Sequence, residues 1–316
     1  MDKKIIISAV VILVLAAAYL TFSGPKTEPQ QLVRVSGAWA LYPMMVKWAD
    51  EYQKVNPGIR VDVSAGGAGK GMADALSGLV EIGMVSRDID PTEVERGAYG
   101  IRVVKDAVVP TFNKNNPIAA ELLKNGLRRD EFKNIFVSGK ATKWGDLIGR
   151  ASVPNKISVY VRSDSCGAAE VWAKYLGGKQ EDLVGIGVNG DPGIAEAVSR
   201  DINGIGFNNL NFAYDAKTGD PVGDINILPI DLNGNGKIDP KENFYSKKAD
   251  MIVAIDQGRY PSPPARDLYL VTKNRPQGPA GEFVRWILTD GQKYVAGEGY
   301  ISISQAVLSE EITQLQ

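Results

Sequence analysis

One twelve-residue segment has the spacing of a calcium-binding loop. The segment DLNGNGKIDPKE, at 231–242, places oxygen-bearing groups at the coordinating positions and a glycine at its sixth position. Calcium takes about six to eight oxygen ligands, which carboxylates, amides and one main-chain carbonyl supply here. The predicted ligands are Asp231, Asn233, Asn235, Lys237 through its carbonyl, Asp239 and Glu242. The alternative is an Asn- and Gly-rich turn with solvated acids. Because LPI at 228–230 reads as a strand and not as an entering helix, we expect one structural Ca²⁺ and no calcium sensor.

Three other segments each combine a strand, a turn of small residues and the start of a helix. They are LVRVSG followed by a helix from Tyr42, IRVDVSAGGAG followed by GMADAL, and KISVYVRSDSCG followed by AAEVWAKYL. Helix N-termini carry free N–H groups and the positive end of the helix dipole, which suits an anion. In open α/β sheets such turns meet at the carboxyl ends of the strands. Because similar turns also join strands to helices without any ligand, this pattern alone leaves both interpretations open.

Taken in order, these motifs resemble those of the phosphate-binding proteins of ABC importers, over nearly all of the chain after the linker. The segments that carry the resemblance are VSGAWALYPMMVKWADEY, VSAGGAGKGMADALSGLVEIGMVSRDI, VRSDSCGAAEVWAKYL and the closing YPSPPARDLYLVTKNRP with AGEFVRWILTDGQKYVAGEGYISI. The resemblance implies an extracytoplasmic solute-binding protein that is not an enzyme. Such a protein captures phosphate or a related tetrahedral oxyanion and hands it to the permease subunits of an ABC importer.

The resemblance also implies an anion site at the turns, but most of the family's Ser and Thr hydroxyls are replaced here by Ala, Trp or Cys. Backbone N–H groups survive such replacements, so an anion site remains expected, while the identity of its anion stays open. The expected anion-binding residues are Ala38, Trp39, Ala40, Ala68, Gly69, Ser86, Arg87, Arg162, Ser165, Cys166, Gly167 and Ala168.

Charged groups beside the turns have more than one interpretation. Arg87 and Arg162 are the predicted counter-charges of the anion. Asp164 and Glu170 either accept a proton from a protonated oxyanion or pair with these arginines. Cys166, at the predicted start of a helix and near Arg162, is expected to have a thiol that is accessible in the open state and has a lowered pKa.

The alternation of strands and helices predicts an α/β fold, and the resemblance specifies the type II periplasmic-binding-protein architecture. Two α/β lobes are then joined by two crossing segments, with the ligand cleft between them. We expect lobe one at 32–111 and 264–316, and lobe two at 112–263, including the calcium loop. Ligand binding should close the lobes by a hinge motion. GGAGKG, at 66–71, does not fit a nucleotide loop, because Ser64 and Gly71 stand where that motif needs Gly and Ser or Thr.

The N-terminus reads as a targeting segment. Two lysines precede an apolar stretch within residues 1–22, and a polar linker follows at 23–31. The pattern fits a secretory signal sequence or an uncleaved signal anchor. We expect the anchor to be retained, so that the protein is held at the membrane on the extracytoplasmic side.

The composition excludes several other classes of protein. A net charge of −1 gives no general attraction for nucleic acid. The chain has no His, which excludes Ser-His-Asp triads and His-ligated metals. A calcium-assisted phosphatase is the enzymatic alternative, with Ser86, Ser165 or Cys166 as nucleophile and a carboxylate or lysine as base. A membrane-tethered oxyanion sensor or scaffold without a transporter is the other alternative.

Overall fold

A computed structural model describes residues 30–315 of the 316-residue chain. The predicted signal anchor at 1–22 and nearly all of the linker lie outside the described residues. Within 30–315, the structure contains no helix that is long and apolar enough to span a membrane.

Helices and strands alternate along the chain, as the periodicity predicts. The strands are β1 (Gln31–Gly37), β2 (Ile59–Ala65), β3 (Ile82–Val85), β4 (Ala98–Asn113), β5 (Ser158–Arg162), β6 (Ile186–Val188), β7 (Gly204–Asn209), β8 (Ile225–Ile227) and β9 (Ala265–Lys273). The helices are α1 (Tyr42–Val55), α2 (Ala68–Ser77), α3 (Pro91–Glu95), α4 (Ala119–Asn125), α5 (Arg129–Phe136), α6 (Gly167–Leu176), α7 (Gly190–Arg200), α8 (Leu210–Ala213), α9 (Lys248–Asp256), α10 (Gly278–Leu288) and α11 (Gln305–Gln314). The prediction of a strand at 228–230 is wrong, since the strand β8 ends at Ile227 and the LPI segment comes directly after it.

Two long strands run through both halves of one sheet. The strand order is β2-β1-β3-β9-β4-β7-β5-β6, and β8 pairs with β4. β4 and β9 are antiparallel neighbours over most of the length of β9. The strands that precede the three turns, β1, β2 and β5, pair in parallel with their neighbours on either side of this central pair. Their carboxyl ends therefore face the middle of the molecule, where the turns meet.

The hydrophobic residues form two main cores, one on each side of the crossing strands. The first contains buried residues from 33–104 and 268–315. The second contains residues from 107–265, with Ile301. Each core consists of helices packed on one part of the sheet, which is the architecture expected of a type II periplasmic-binding protein. The lobe limits of 111/112 and 263/264 stay a prediction.

Candidate anion-binding cleft

The second and third turns lie directly against each other, one from each core. The N–H of Gly69, in the first turn of α2, donates to the carbonyl oxygen of Ser165, 3.2 Å away. A Cβ added to Gly67 would lie only 2.5 Å from that same oxygen. On the other side, Gly167 at the start of α6 packs against Ser86, which follows β3. The structure thus brings the N-termini of two helices together with the turn after β3.

Arg162 is paired with two carboxylates of its own lobe. Its Nε and Nη2 donate to the two oxygens of Asp164, at 2.7 and 2.5 Å, and its Nη1 donates to Asp191 at 2.6 Å. Burial is the largest single influence on the pKa of Arg162 and lowers it, but Asp191 and Asp164 act with Cys166 to raise the pKa overall. Burial opposes the charge of Asp164, yet its bond to Arg162 lowers the pKa of that carboxyl. The guanidinium is therefore already neutralised from within the protein.

Arg87, on the other side of the turns, is also paired with two carboxylates of the protein. Both oxygens of Glu93 accept from it at 2.8 and 2.7 Å, and Glu170 lies 3.0 Å from its Nε. Because Glu170 belongs to α6, this ion pair also links the two lobes, as does the pair between Lys174 and Asp88 at 2.7 Å. Of the two interpretations of Asp164 and Glu170, the structure shows the pairing with arginines.

In this structure, with the two lobes in contact, Cys166 is not a reactive thiolate. Its side chain is only 5% exposed. Burial raises the pKa of the thiol to about 12, and Arg162 only partly offsets this. The sulfur caps α6 by accepting from the N–H of Ala169 at 3.4 Å. The helix N-terminus was correctly placed by the sequence pattern, but the apolar packing around it decides the protonation state.

A labelling experiment tests this correction. We expect the thiol of native protein to react with iodoacetamide near neutral pH far more slowly than the thiol of urea-unfolded protein, because only the thiolate reacts and it is suppressed by burial. Mass spectrometry of timed samples measures both rates. Equal rates in native and unfolded protein would show that Cys166 is accessible after all.

The first turn contributes the large side chain of Trp39 between two alanines. The N–H of Ala38 donates to Met84, at 2.9 Å, so it is already used. The carbonyl of Ala40 accepts from the Tyr300 hydroxyl at 2.7 Å. Trp39 extends towards the other lobe, where its ring meets Phe212 edge-on with centroids 6.3 Å apart. Lys70, beside the second turn, pairs with Asp74 and is half exposed.

A buried polar cluster on the crossing strands was missed by the sequence analysis. Arg266 of β9 donates to Ser86, to Asp106 of β4 and to Asn209 at the end of β7. Asn209 in turn donates to Asp191, the partner of Arg162. The cluster connects both crossing strands to the third turn. Two signals existed: an arginine inside the apolar run ARDLYLV, and a fourth strand–turn–helix segment at VNGDPG.

The predicted calcium loop is a compact turn held by its own carboxylates. Asp231 accepts from the N–H groups of Gly234 and Gly236, at 2.8 and 2.9 Å, and Glu242 accepts from that of Leu232, at 3.0 Å. Asp231 and Glu242 are both buried. Over residues 30–315, no three His, Cys, Asp or Glu side chains are clustered as a metal site.

Comparison with known proteins identifies the fold family. A model described as "PBP superfamily domain" matches residues 24–291. Phosphate-binding protein PstS of Bacillus subtilis is 23% identical over 279 residues, covering 88% of this chain and 82% of that protein. Phosphate-binding protein PstS 2 of Streptococcus agalactiae is 32% identical over 115 residues, and this match spans only 36% of this chain and 37% of that protein.

A solved structure has the same architecture. A putative phosphate ABC transporter substrate-binding protein from Clostridium perfringens, determined with bound phosphate, superposes with a TM-score of 0.69. It is 24% identical in sequence and covers 87% of this chain and all of its own length. This similarity confirms the expected fold, two α/β lobes with a cleft between them.

Proposed function

The chain belongs to the PBP superfamily, and from that premise we propose that it captures phosphate, or a related inorganic tetrahedral oxyanion, in the cleft and hands it to an ABC importer. The relatives named above are phosphate-binding proteins. The observation that carries the proposal is the meeting of two helix N-termini from opposite lobes, seen at Gly69 and Ser165. This contact brings the first turns of α2 and α6 close together, and helix N-termini are sites at which proteins bind oxyanions.

The location and the partners follow from the same proposal. Delivery to an importer requires permease subunits as partners and a position outside the cytoplasm. The apolar stretch within residues 1–22 would serve as signal or anchor. The protein's role is then binding and release, driven by opening and closing of the lobes.

Calorimetry tests the proposed function. The purified protein, dialysed free of oxyanions, is titrated with phosphate, arsenate, sulfate, molybdate and tungstate. We expect saturable binding of at least one of them, with one anion per chain. No binding of any of the five would contradict the proposal.

We further propose that the loop at 231–242 binds one Ca²⁺, which stabilises lobe two. Asp231 and Glu242 are buried with backbone N–H groups as partners. The amides of Asn233 and Asn235 now donate to Asp239, at 3.0 and 2.7 Å. Rotation of each amide about its Cβ–Cγ bond would present oxygen instead of nitrogen, which completes a set of hard ligands.

Thermal unfolding tests the calcium proposal. Calcium binding to the folded state should stabilise it by about 2.7 kcal/mol at a free concentration a hundredfold above Kd, so Tm should rise with added CaCl₂ and fall with chelator. Glu242→Gln should lose most of this response, because it removes the bidentate ligand. The matched control is Glu181→Gln, on an exposed turn outside the loop, which should respond as the wild type does. A Tm that is indifferent to calcium and to chelator would discard the site.

A further inference from the structure

Trp39 spans the cleft between the two lobes. Its ring lies against Gly190 at the N-terminus of α7, so closely that a Cβ there would approach the indole to 3.1 Å. It also packs against Tyr42 of its own lobe and against Phe212 of the other lobe. The indole therefore belongs to lobe one and packs against residues of lobe two.

The indole N–H of Trp39 has no acceptor. Among the residues that the structure describes, Nε1 is shielded from solvent and makes no hydrogen bond. An indole N–H is a donor only, and a buried donor left unpaired costs about 1–3 kcal/mol. The group is thus placed where an acceptor from outside the chain would stabilise the closed cleft.

The neighbouring polar groups indicate what the Trp39 indole N–H could contribute to the first turn. The neighbouring backbone N–H of Gly190 is already donated to Asp164, at 3.1 Å, and the N–H of Gly69 to Ser165. Ala38 and Ala40 on either side of the tryptophan carry no polar side-chain group. At the first turn the indole is the side-chain donor that remains.

We infer that Trp39 is a solute-contacting residue, whose ring closes the cleft against Gly190 and Phe212 while its N–H donates to an oxygen of the bound oxyanion. The inference rests on the proposed oxyanion binding and names the residue that takes over from the missing hydroxyls. It makes the affinity of the cleft depend on one indole N–H, in addition to the helix N-termini.

Trp39→Phe is the direct test, because it keeps an aromatic ring and removes the N–H. We expect the dissociation constant for inorganic phosphate, or for whichever of the five anions binds the wild type most tightly, to rise roughly ten- to a hundredfold. The matched control is Trp172→Phe. Within residues 30–315, Trp172 Nε1 is also buried without a partner, but its ring lies among Phe132, Phe136 and Phe207 in the core of lobe two. Its loss should leave the affinity unchanged.

A measurement on the wild-type protein removes the dependence on a variant's folding. The chain has five tryptophans, so a ¹⁵N-correlated spectrum shows five indole N–H signals. The signal that disappears in Trp39→Phe should move downfield on addition of the anion, and the signal assigned through Trp172→Phe should stay in place.

The outcomes separate the inference from the proposed function. Wild-type binding combined with an unchanged affinity in Trp39→Phe, or with a stationary Trp39 signal, would overturn the inference and leave the function intact. Failure of the wild type to bind any of the five oxyanions would overturn the proposed function, and the inference with it.

Discussion

Arg162→Ala should lower the free energy of unfolding by about 3–5 kcal/mol, the cost of leaving buried carboxylates without their cation. Arg162 is 5% exposed and Asp191 is completely buried. The guanidinium supplies three charge-assisted hydrogen bonds to Asp164 and Asp191, and its removal would leave both carboxylates without their cation. Urea unfolding followed by circular dichroism measures the loss.

Arg34→Ala is the matched control for this variant. Arg34 also forms an ion pair, with Glu81 at 2.7 Å, but its side chain is 47% exposed. Exposed pairs contribute about 0–1 kcal/mol, so the control should unfold nearly as the wild type does. An equally small loss in Arg162→Ala would mean that its two carboxylates are not buried as described.

The same variant should also weaken binding of inorganic phosphate, by roughly thirtyfold or more. The physical reason differs from the one that the sequence suggested. Arg162 is not a free counter-charge; it neutralises Asp164, which lies beside the glycines of the second turn. Without Arg162 that carboxylate would present a negative charge to the incoming anion. Calorimetry on the variant below its unfolding temperature measures this effect.

Arg266→Ala should cost a comparable amount of stability, about 3–5 kcal/mol near neutral pH. Asp106 and Arg266 face each other at 3.4 Å between the crossing strands, and the second oxygen of Asp106 is buried without a partner among the described residues. Burial raises the pKa of Asp106 to about 6, and Arg266 is the largest influence that lowers it. Removing Arg266 should therefore raise the pKa of Asp106 further.

The stability loss in Arg266→Ala should depend on pH, in a direction that follows from the raised pKa of Asp106. Because burial holds the folded-state pKa of Asp106 above the ordinary range of an aspartate, its contribution to stability is complete below the unfolded pKa and is lost as pH rises through about 6. In Arg266→Ala the pKa of Asp106 should be higher still, so this loss of stability should continue to a higher pH than in the wild type. The deficit relative to wild type should be larger at about pH 8 than at about pH 5. Urea titrations at both values test this, and a deficit that is the same at both would contradict the assigned role of Asp106.

Much of this architecture is visible in the sequence because it is encoded locally. Segments of five to seven residues with apolar residues at alternate positions, each ending in or followed directly by a small residue, define β1, β2 and β5, and the helices that follow begin within a few residues of their predicted starts. The segment IRVVKDAVVPTF, at 101–112, is typical of a long strand, and the observed strand β4 extends from Ala98 to Asn113. These signals depend on neighbours in the chain, so a single sequence contains them.

What the sequence does not reveal depends on contacts between distant segments. The pKa of Cys166 is set by side chains packed around α6, and the helix N-terminus alone gives the wrong direction for it. Arg162 finds its second carboxylate 29 positions away, at Asp191. Trp39 meets Phe212 of the other lobe, and no periodicity relates the two. The first two contacts are decided by packing within lobe two and the third by the approach of the two lobes, and local patterns encode neither.

A crystal structure of the protein with the oxyanion that binds most tightly tests the central claim most directly. We predict density for one tetrahedral anion between the two lobes, in contact with the N-termini of α2 and α6 and with Nε1 of Trp39. An anion bound elsewhere on the molecule, or a cleft filled only by the protein's own Asp164 and Ser165 at saturating anion, would contradict the proposal that these turns form the solute site.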